Sequence, residues 1–302
     1  MTTVPRRELD ELYAKYDLHS NLFDIYVEGD FDFDVINMFL SEALITNVSV
    51  FHIDDIEVGS GVVVQSGFSV GSNKHRVLTL ARLLDSRYGK RPTNITCLVD
   101  ADCDRVLNND HGLHHVAITD YTCLESYFLA RPTLTRFLTF ACQLTDQSPE
   151  EFTSLAKIIL PTQFALRAAA EARNLGHAIL GFESGLLKKR DYFSFNAEKY
   201  LESYLSRYAL QGRRTEIVDL FTGILASLPQ DIRHAIQGHD FVSLLFEYLW
   251  FKNALKLHDK TESAQKFGGR LVALACRSTD LAVEPLFARI AASSSGATTM
   301  RP

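Results

Sequence analysis

The sequence predicts an α/β domain with a mostly parallel sheet and flanking helices over residues 20–130. An all-α helical domain follows over 131–292, with a short tail, 293–302, expected to be disordered. Three observations carry this. Asp24-Ile25-Tyr26-Val27-Glu28-Gly29-Asp30 is a short apolar strand that stops in acid. Thr96-Cys97-Leu98-Val99-Asp100-Ala101-Asp102-Cys103-Asp104 repeats that pattern. From Arg131 onward the apolar residues recur at helical spacing almost throughout. A strand of a parallel sheet is buried on both faces, so it reads as a continuous apolar run. Its carboxyl end is where open α/β sheets place their ligands.

Taken in order, a charged surface helix is expected at about 5–16. The Glu28 strand follows, then a helix with Ile36, Phe39, Leu40, Ala43 and Leu44 on one face. Gly29 is expected to let the backbone turn sharply there, with Asp30 or Asp32 as cap. Val48-Ser49-Val50-Phe51-His52-Ile53 and Val62-Val63-Val64 read as strands. Gly71-Ser72-Asn73-Lys74 opens a helix carrying Val77, Leu80, Ala81, Leu84 and Tyr88 on one face. Arg91-Pro92 breaks the chain before the Asp100 strand, and His111, His114 and His115 fall in a polar loop. Val116-Ala117-Ile118 is the last strand, and Thr119 or Asp120 starts a helix that holds Glu125 about one and a half turns in. In the second half, Ser148-Pro149-Glu150-Glu151 starts a helix that Pro161 should end. Lys188-Lys189-Arg190 is a small basic loop; helices follow at about 196–209, 213–227, 241–257 and 281–292. His239 and Asp240 stand at the start of the third of these.

Asp100 and Asp102 alternate on an extended segment and can aim at one point. Carboxylates that close repel unless a cation or a shared proton intervenes. Mg²⁺ or Mn²⁺ is the natural partner of such hard oxygens. On these residues alone, a solvated acidic turn fits as well. Glu28 adds a third acid if its strand neighbours that of Asp100, since both acids then sit on one edge of the sheet. Glu28, Asp100 and Asp102 are thus the candidate catalytic and metal-ligating set, with Asp104 as a peripheral ligand. Lys74, at a helix start, suits a phosphate. Glu125 can make an outer contact to a metal or merely decorate its helix, and His239 can contact metal or substrate or be part of a helix cap and nothing more.

Val27-Glu28-Gly29 with Val99-Asp100-Ala101-Asp102 resembles the Toprim domain of topoisomerases, primases and related nucleases. Gly71-Ser72-Asn73-Lys74 and Thr119-Asp120-Tyr121-Thr122-Cys123-Leu124-Glu125-Ser126-Tyr127 narrow the resemblance. They are similar to a Toprim-like family found beside ATPases in bacterial defence islands, the family of AriB, effector of the PARIS anti-phage system. The motifs cover roughly residues 22–130. The resemblance implies a Mg²⁺-dependent nuclease, a toxic effector that cleaves transfer RNA and is restrained by a regulatory ATPase. A DNA-directed nuclease, or a non-catalytic metal-binding partner of an ATPase, are the alternatives.

Composition bounds these readings. With 46% hydrophobic residues the chain can bury a proper core, and no apolar run approaches a membrane span. Five cysteines without a Cys-x-x-Cys pair, and a charged N-terminus in place of a signal peptide, fit a reduced, cytoplasmic protein. Residues 1–130 hold 10 Lys and Arg against 20 Asp and Glu, a net of −10; the rest carries +4. That distribution argues against indiscriminate nucleic-acid binding. An EF-hand needs Gly and Glu where Arg105 and His111 stand. A dehalogenase-type phosphatase would want Thr or Val at Asp104, and a metal-dependent glycosyltransferase leaves Glu28 unexplained. The glycines before Lys74 miss the P-loop pattern, so any ATP dependence must come from a partner. A homodimer is expected, symmetric pairs being the commonest closed assembly.

Overall fold

The computed structural model describes residues 6–19, 22–89, 94–189, 192–254 and 262–294. In chain order the elements are α1 (Leu9–Leu18), β1 (Phe23–Val27), α2 (Asp30–Glu42), β2 (Val48–His52), α3 (Ser60–Gln65), α4 (Asn73–Tyr88), β3 (Ile95–Val99), α5 (Asp104–Leu107) and β4 (Val116–Ile118). After them come α6 (Arg131–Thr135), α7 (Ser148–Ala172), β5 (Leu186–Lys189), β6 (Tyr192–Phe195), α8 (Ala197–Arg207), α9 (Arg214–Ser227), α10 (Gly238–Phe251), α11 (Glu262–Leu274), α12 (Ser278–Leu281) and α13 (Pro285–Ser294). The chain forms two compact units. One gathers 1–100, 111–120 and 277–302; the other gathers 101–110 and 121–276. The division therefore crosses the linear boundary expected near residue 130.

The first unit is built on a four-stranded, wholly parallel sheet of order β2-β1-β3-β4. Ile25 pairs with Val50 on one side and Thr96 on the other, and Leu98 pairs with Ala117. Every residue of β1 and β3 is buried, the condition that makes central parallel strands mainly apolar, and here only Asp24 and Thr96 interrupt the runs. From β1 the chain moves outward to β2, then returns to β1's other side for β3. The gap between β1 and β3 is thus the topological switch point of the sheet, where α/β folds open a crevice beyond the carboxyl ends. α4 covers the sheet with Val77, Leu80, Ala81 and Leu84, packed in a core with Tyr26, Cys97 and Val99.

Local chemistry departs from expectation at three places in this unit. Gly29 has φ −157°, extended backbone open to any residue, so no glycine-specific turn exists there; Asp32 takes the Gly29 N–H at 3.2 Å as the cap. Val62-Val63-Val64 is helical, within α3, with Val63 buried and Val64 exposed. Three β-branched residues are too short a run for intrinsic preference to outweigh the burial of one face. Asp120 starts no helix after β4. Its carboxylate instead accepts the Leu286 N–H at 2.7 Å, capping α13. Helix α13 extends through Ser294, so the first residues of the expected tail are ordered; the remainder, like Pro5, Arg91-Pro92 and Arg190, lies outside the described residues.

The second unit is helical apart from the β5-β6 antiparallel hairpin, which replaces the loop expected at Lys188-Lys189. α7 runs 25 residues without stopping at Pro161. Proline removes one intrahelical N–H and crowds the preceding turn, at a cost of about 3 kcal/mol. Burial of Ile159, Leu160, Phe164, Ala165 and Leu166 on both sides of it outweighs that cost, and Thr162 Oγ1 donates to the Ile158 carbonyl at 2.7 Å. α7 packs with α8 and α9 through Phe164, Ala168, Tyr204, Ile217 and Phe221. α10 buries Phe241, Leu244, Leu245, Tyr248 and Leu249, the face its spacing predicts. Its helix ends at Phe251, short of 257. Among the described residues no helix is long and apolar enough to cross a membrane.

Candidate active site

In the first unit the two strand-to-acid junctions meet. Glu28 follows β1 and Asp100 follows β3, adjacent parallel strands whose carboxyl ends share an edge. Glu28 Oε1 accepts the backbone N–H of Asp100 at 3.0 Å. The start of α4 reaches the same place, for Asn73 Nδ2 donates to the Glu28 carbonyl at 2.8 Å. Crossover helices run antiparallel to their strands, so their N-termini, with partial positive charge, come to the carboxyl edge. Ser72 caps α4 by accepting the His75 N–H at 3.3 Å, and Gly71, at φ +96°, supplies the left-handed turn before it. Lys74, half-buried, follows directly.

The second unit holds the remaining candidates. Asp102 has φ 43°, a left-handed conformation uncommon outside glycine and most tolerable for Asn and Asp. Its N–H is fixed to the Thr122 carbonyl at 2.8 Å. Asp104 is buried at the start of α5 and takes the Asn109 side-chain amide at 3.2 Å, so at least part of its carboxylate serves the local turn. Glu125 is not deep in an α-helix; it lies in the first turn of a 3₁₀ segment, Leu124–Leu129. Its carboxylate rests against Gly238 at the opening of α10, where a methyl group would collide with it. Burial raises the Glu125 carboxyl above its ordinary range, and the charge of Asp102 adds to this; hydrogen bonds from its own backbone and from Cys123 oppose it.

His239 follows Gly238. Its Nε2 lies 3.3 Å from Asp240 Oδ1 and 3.4 Å from Arg167 Nη2, and Arg167 pairs with Asp240 at 2.8 Å. The ring keeps contact with solvent, yet the protein around it lowers its pKa. Removal from water is the main cause and Arg167 adds to it, against the upward pull of Asp240 and Asp102. Arg167 is a neighbour of His239 and Asp240 that spacing did not reveal. The available signal was a single arginine in the otherwise apolar stretch from Phe164 to Ala170 of α7.

Three hard carboxylates suit Mg²⁺. Among the described residues, however, no three His, Cys, Asp or Glu side chains are drawn together as a coordination sphere. The Glu28 carboxylate is turned onto the Asp100 N–H. In the polar loop before β4, His115 is buried with Nδ1 against Asp85, which also accepts the N–H groups of His114 and His115. These contacts fix the loop to α4. No protein-family model matches this chain, and no curated protein matches it.

Proposed function

We propose that this chain is a divalent-metal-dependent phosphodiesterase acting on nucleic acid. Glu28, Asp100 and Asp102 are its acids, and transfer RNA is the substrate to test first. The observation that carries the reading is the meeting of the two junctions at the sheet's switch point, with Glu28 bonded to the Asp100 backbone at 3.0 Å. Asp100 and Asp102 would hold Mg²⁺ or Mn²⁺, and Glu28 would complete the set or transfer a proton. A metal there supplies Lewis-acid polarisation of the phosphoryl oxygen and acidifies bound water. Lys74, at the head of α4, suits an incoming phosphate, where a lysine and helix N–H groups act together. A regulatory ATPase and a second copy of the chain are the proposed partners, and the cytoplasm the proposed compartment.

The same hydrogen bond favours one second reading, a non-catalytic module in which Glu28 simply ties β1 to β3. Glu28→Gln separates the two. Glutamine keeps an acceptor oxygen for the Asp100 N–H and loses the charge. Under the nuclease reading, Glu28→Gln abolishes Mg²⁺-dependent cleavage of tRNA, plasmid or single-stranded DNA, and its melting temperature stays within a few degrees of wild type. A variant that still cleaves, or a wild-type protein inert on all three substrates with Mg²⁺ and Mn²⁺, defeats the proposal.

A further inference from the structure

Helix α10 opens with two polar side chains, His239 and Asp240, whose contacts go to α7 and not to the helix start. The N-cap residue, Gln237, makes no side-chain cap bond, and the Glu125 carboxylate fills the space beside Gly238. Arg167 of α7 donates to Asp240 Oδ2 at 2.8 Å, and His239 Nε2 lies 3.3 Å from Asp240 Oδ1. The Asp240 side chain is 12% exposed and that of Arg167 25%, whereas that of His239 is 58% exposed. An ion pair is thus buried behind an imidazole that solvent reaches.

The partners fix the tautomer of that ring. A carboxylate only accepts, so Oδ1 facing Nε2 calls for the proton on Nε2. Arg167 Nη2 also stands 3.4 Å from Nε2, but it is already engaged by Oδ2 at 2.8 Å. With the proton on Nε2, the lone pair is on Nδ1. Among the described residues both polar contacts of the ring are made at Nε2, so Nδ1 is the nitrogen a substrate can meet. A carboxylate behind one nitrogen and an open lone pair on the other is the arrangement that makes an imidazole a proton acceptor. The lowered pKa described above keeps the ring neutral at pH 7, as a base must be.

This ring and Asp102 belong to one bonded frame. Asp102 N–H bonds to the Thr122 carbonyl at 2.8 Å, and Thr122 N–H and Oγ1 both donate to the Arg233 carbonyl, at 3.2 and 3.1 Å. Three residues after Thr122, the Glu125 carboxylate abuts Gly238, the neighbour of His239. The charges that act on the ring are Asp240 of its own helix, Arg167 of α7 and Asp102. We propose, on the nuclease reading above, that His239 is the general base of the hydrolysis, with Asp240 and Arg167 as its positioning residues. Nδ1 accepts a proton of the attacking water as the water oxygen bonds to phosphorus. The bond from phosphorus to the leaving oxygen breaks, that oxygen keeps the electron pair and takes a proton from solvent, and the imidazolium returns its own proton to solvent. Asp240 steadies the imidazolium while it lasts.

Two measurements test this role. In metal-free protein in EDTA at pH 8, the side-chain nitrogen shifts of His239 are expected to show Nε2 protonated and Nδ1 bare, the signals being assigned by their loss in His239→Gln. The second is single-turnover cleavage of tRNA, plasmid or single-stranded DNA with Mg²⁺ or Mn²⁺. There His239→Ala is expected to be about 100-fold slower or more, the low end of what a positioned base contributes, with substrate affinity in EDTA within about twofold of wild type. Added imidazole is expected to restore the rate about tenfold in His239→Ala and not in His239→Gln, whose side chain fills the space; a merely structural role gives no rescue. The ring is exposed, so both variants should melt within a few degrees of wild type. A proton on Nδ1, an undiminished rate in His239→Ala, or a slow variant that imidazole does not restore overturns His239 as the base and leaves the nuclease reading standing. A wild type inert on all three substrates with both metals defeats the nuclease reading and the base with it.

Discussion

Glu125 and Gly238 show how one residue's identity is fixed by another far along the chain. Gly238 opens α10 without a side chain because the Glu125 carboxylate occupies the place a Cβ would take. Gly238→Ala is expected to cost about 1–3 kcal/mol, the usual penalty of overpacking an enclosed site. In a Glu125→Ala background most of that cost should vanish, a coupling that a urea double-mutant cycle measures. Additive effects would mean the two do not compete for the space. The raised pKa of Glu125 gives a second prediction. Folded Glu125 keeps its proton to higher pH than the unfolded chain does. Between the ordinary carboxyl range and the raised value the native state binds more protons, so stability falls as pH rises. Glu125→Gln should therefore melt higher than wild type at pH 8 in metal-free buffer, and the gain should disappear near pH 4. An equal gain at both values would locate the cause in packing, not charge.

At the scale of elements, α1 shows what holds a surface helix to a sheet. Asp24 of β1 is 1% exposed and accepts from the Tyr16 hydroxyl at 2.6 Å and from Lys15, and the Tyr16 and Tyr26 hydroxyls bond at 2.6 Å. Removing Lys15 leaves a buried carboxylate short of its counter-charge. Lys15→Met is expected to lower stability by about 3–5 kcal/mol, and Lys15→Met with Asp24→Asn by much less, both read from urea unfolding. A loss below about 1 kcal/mol for the single change would show that Tyr16 alone satisfies Asp24. The strands were legible in the letters because burial on both faces writes β1 and β3 as apolar runs, and the acids just after them mark the edge. Val62-Val63-Val64 misled because a short apolar run carries no period of its own. Pro161 misled because its local penalty is smaller than the burial around it. Glu125 against Gly238 left no spacing signal, and Arg167 with Asp240 left only a lone arginine in an apolar stretch, since such pairings depend on how helices pack.

For the whole molecule, the closing segment of the chain belongs to the α/β unit it began with, not to the helices that precede it. Phe287 is fully buried with its ring edge-on to Phe39, 4.9 Å between centroids, and Leu286 and Ile290 are buried beside it in the same helix. Polar contacts fix the approach. Asp120 takes the Leu286 N–H and lies 3.6 Å from Arg289, while Glu42 takes the Ser278 N–H at 3.0 Å. A carboxylate at a helix N-terminus also meets the favourable end of its dipole. If these contacts make α13 part of the sheet's core, losing one ring must weaken the strands and not only the helix. Phe287→Ala is expected to cost about 3–5 kcal/mol, the range for a large buried aromatic. Hydrogen exchange should then speed up at the amides of β1 and β3 as well as in α13. Faster exchange confined to 285–294 would mean that α13 opens by itself, a local event separate from the strands that position Glu28 and Asp100.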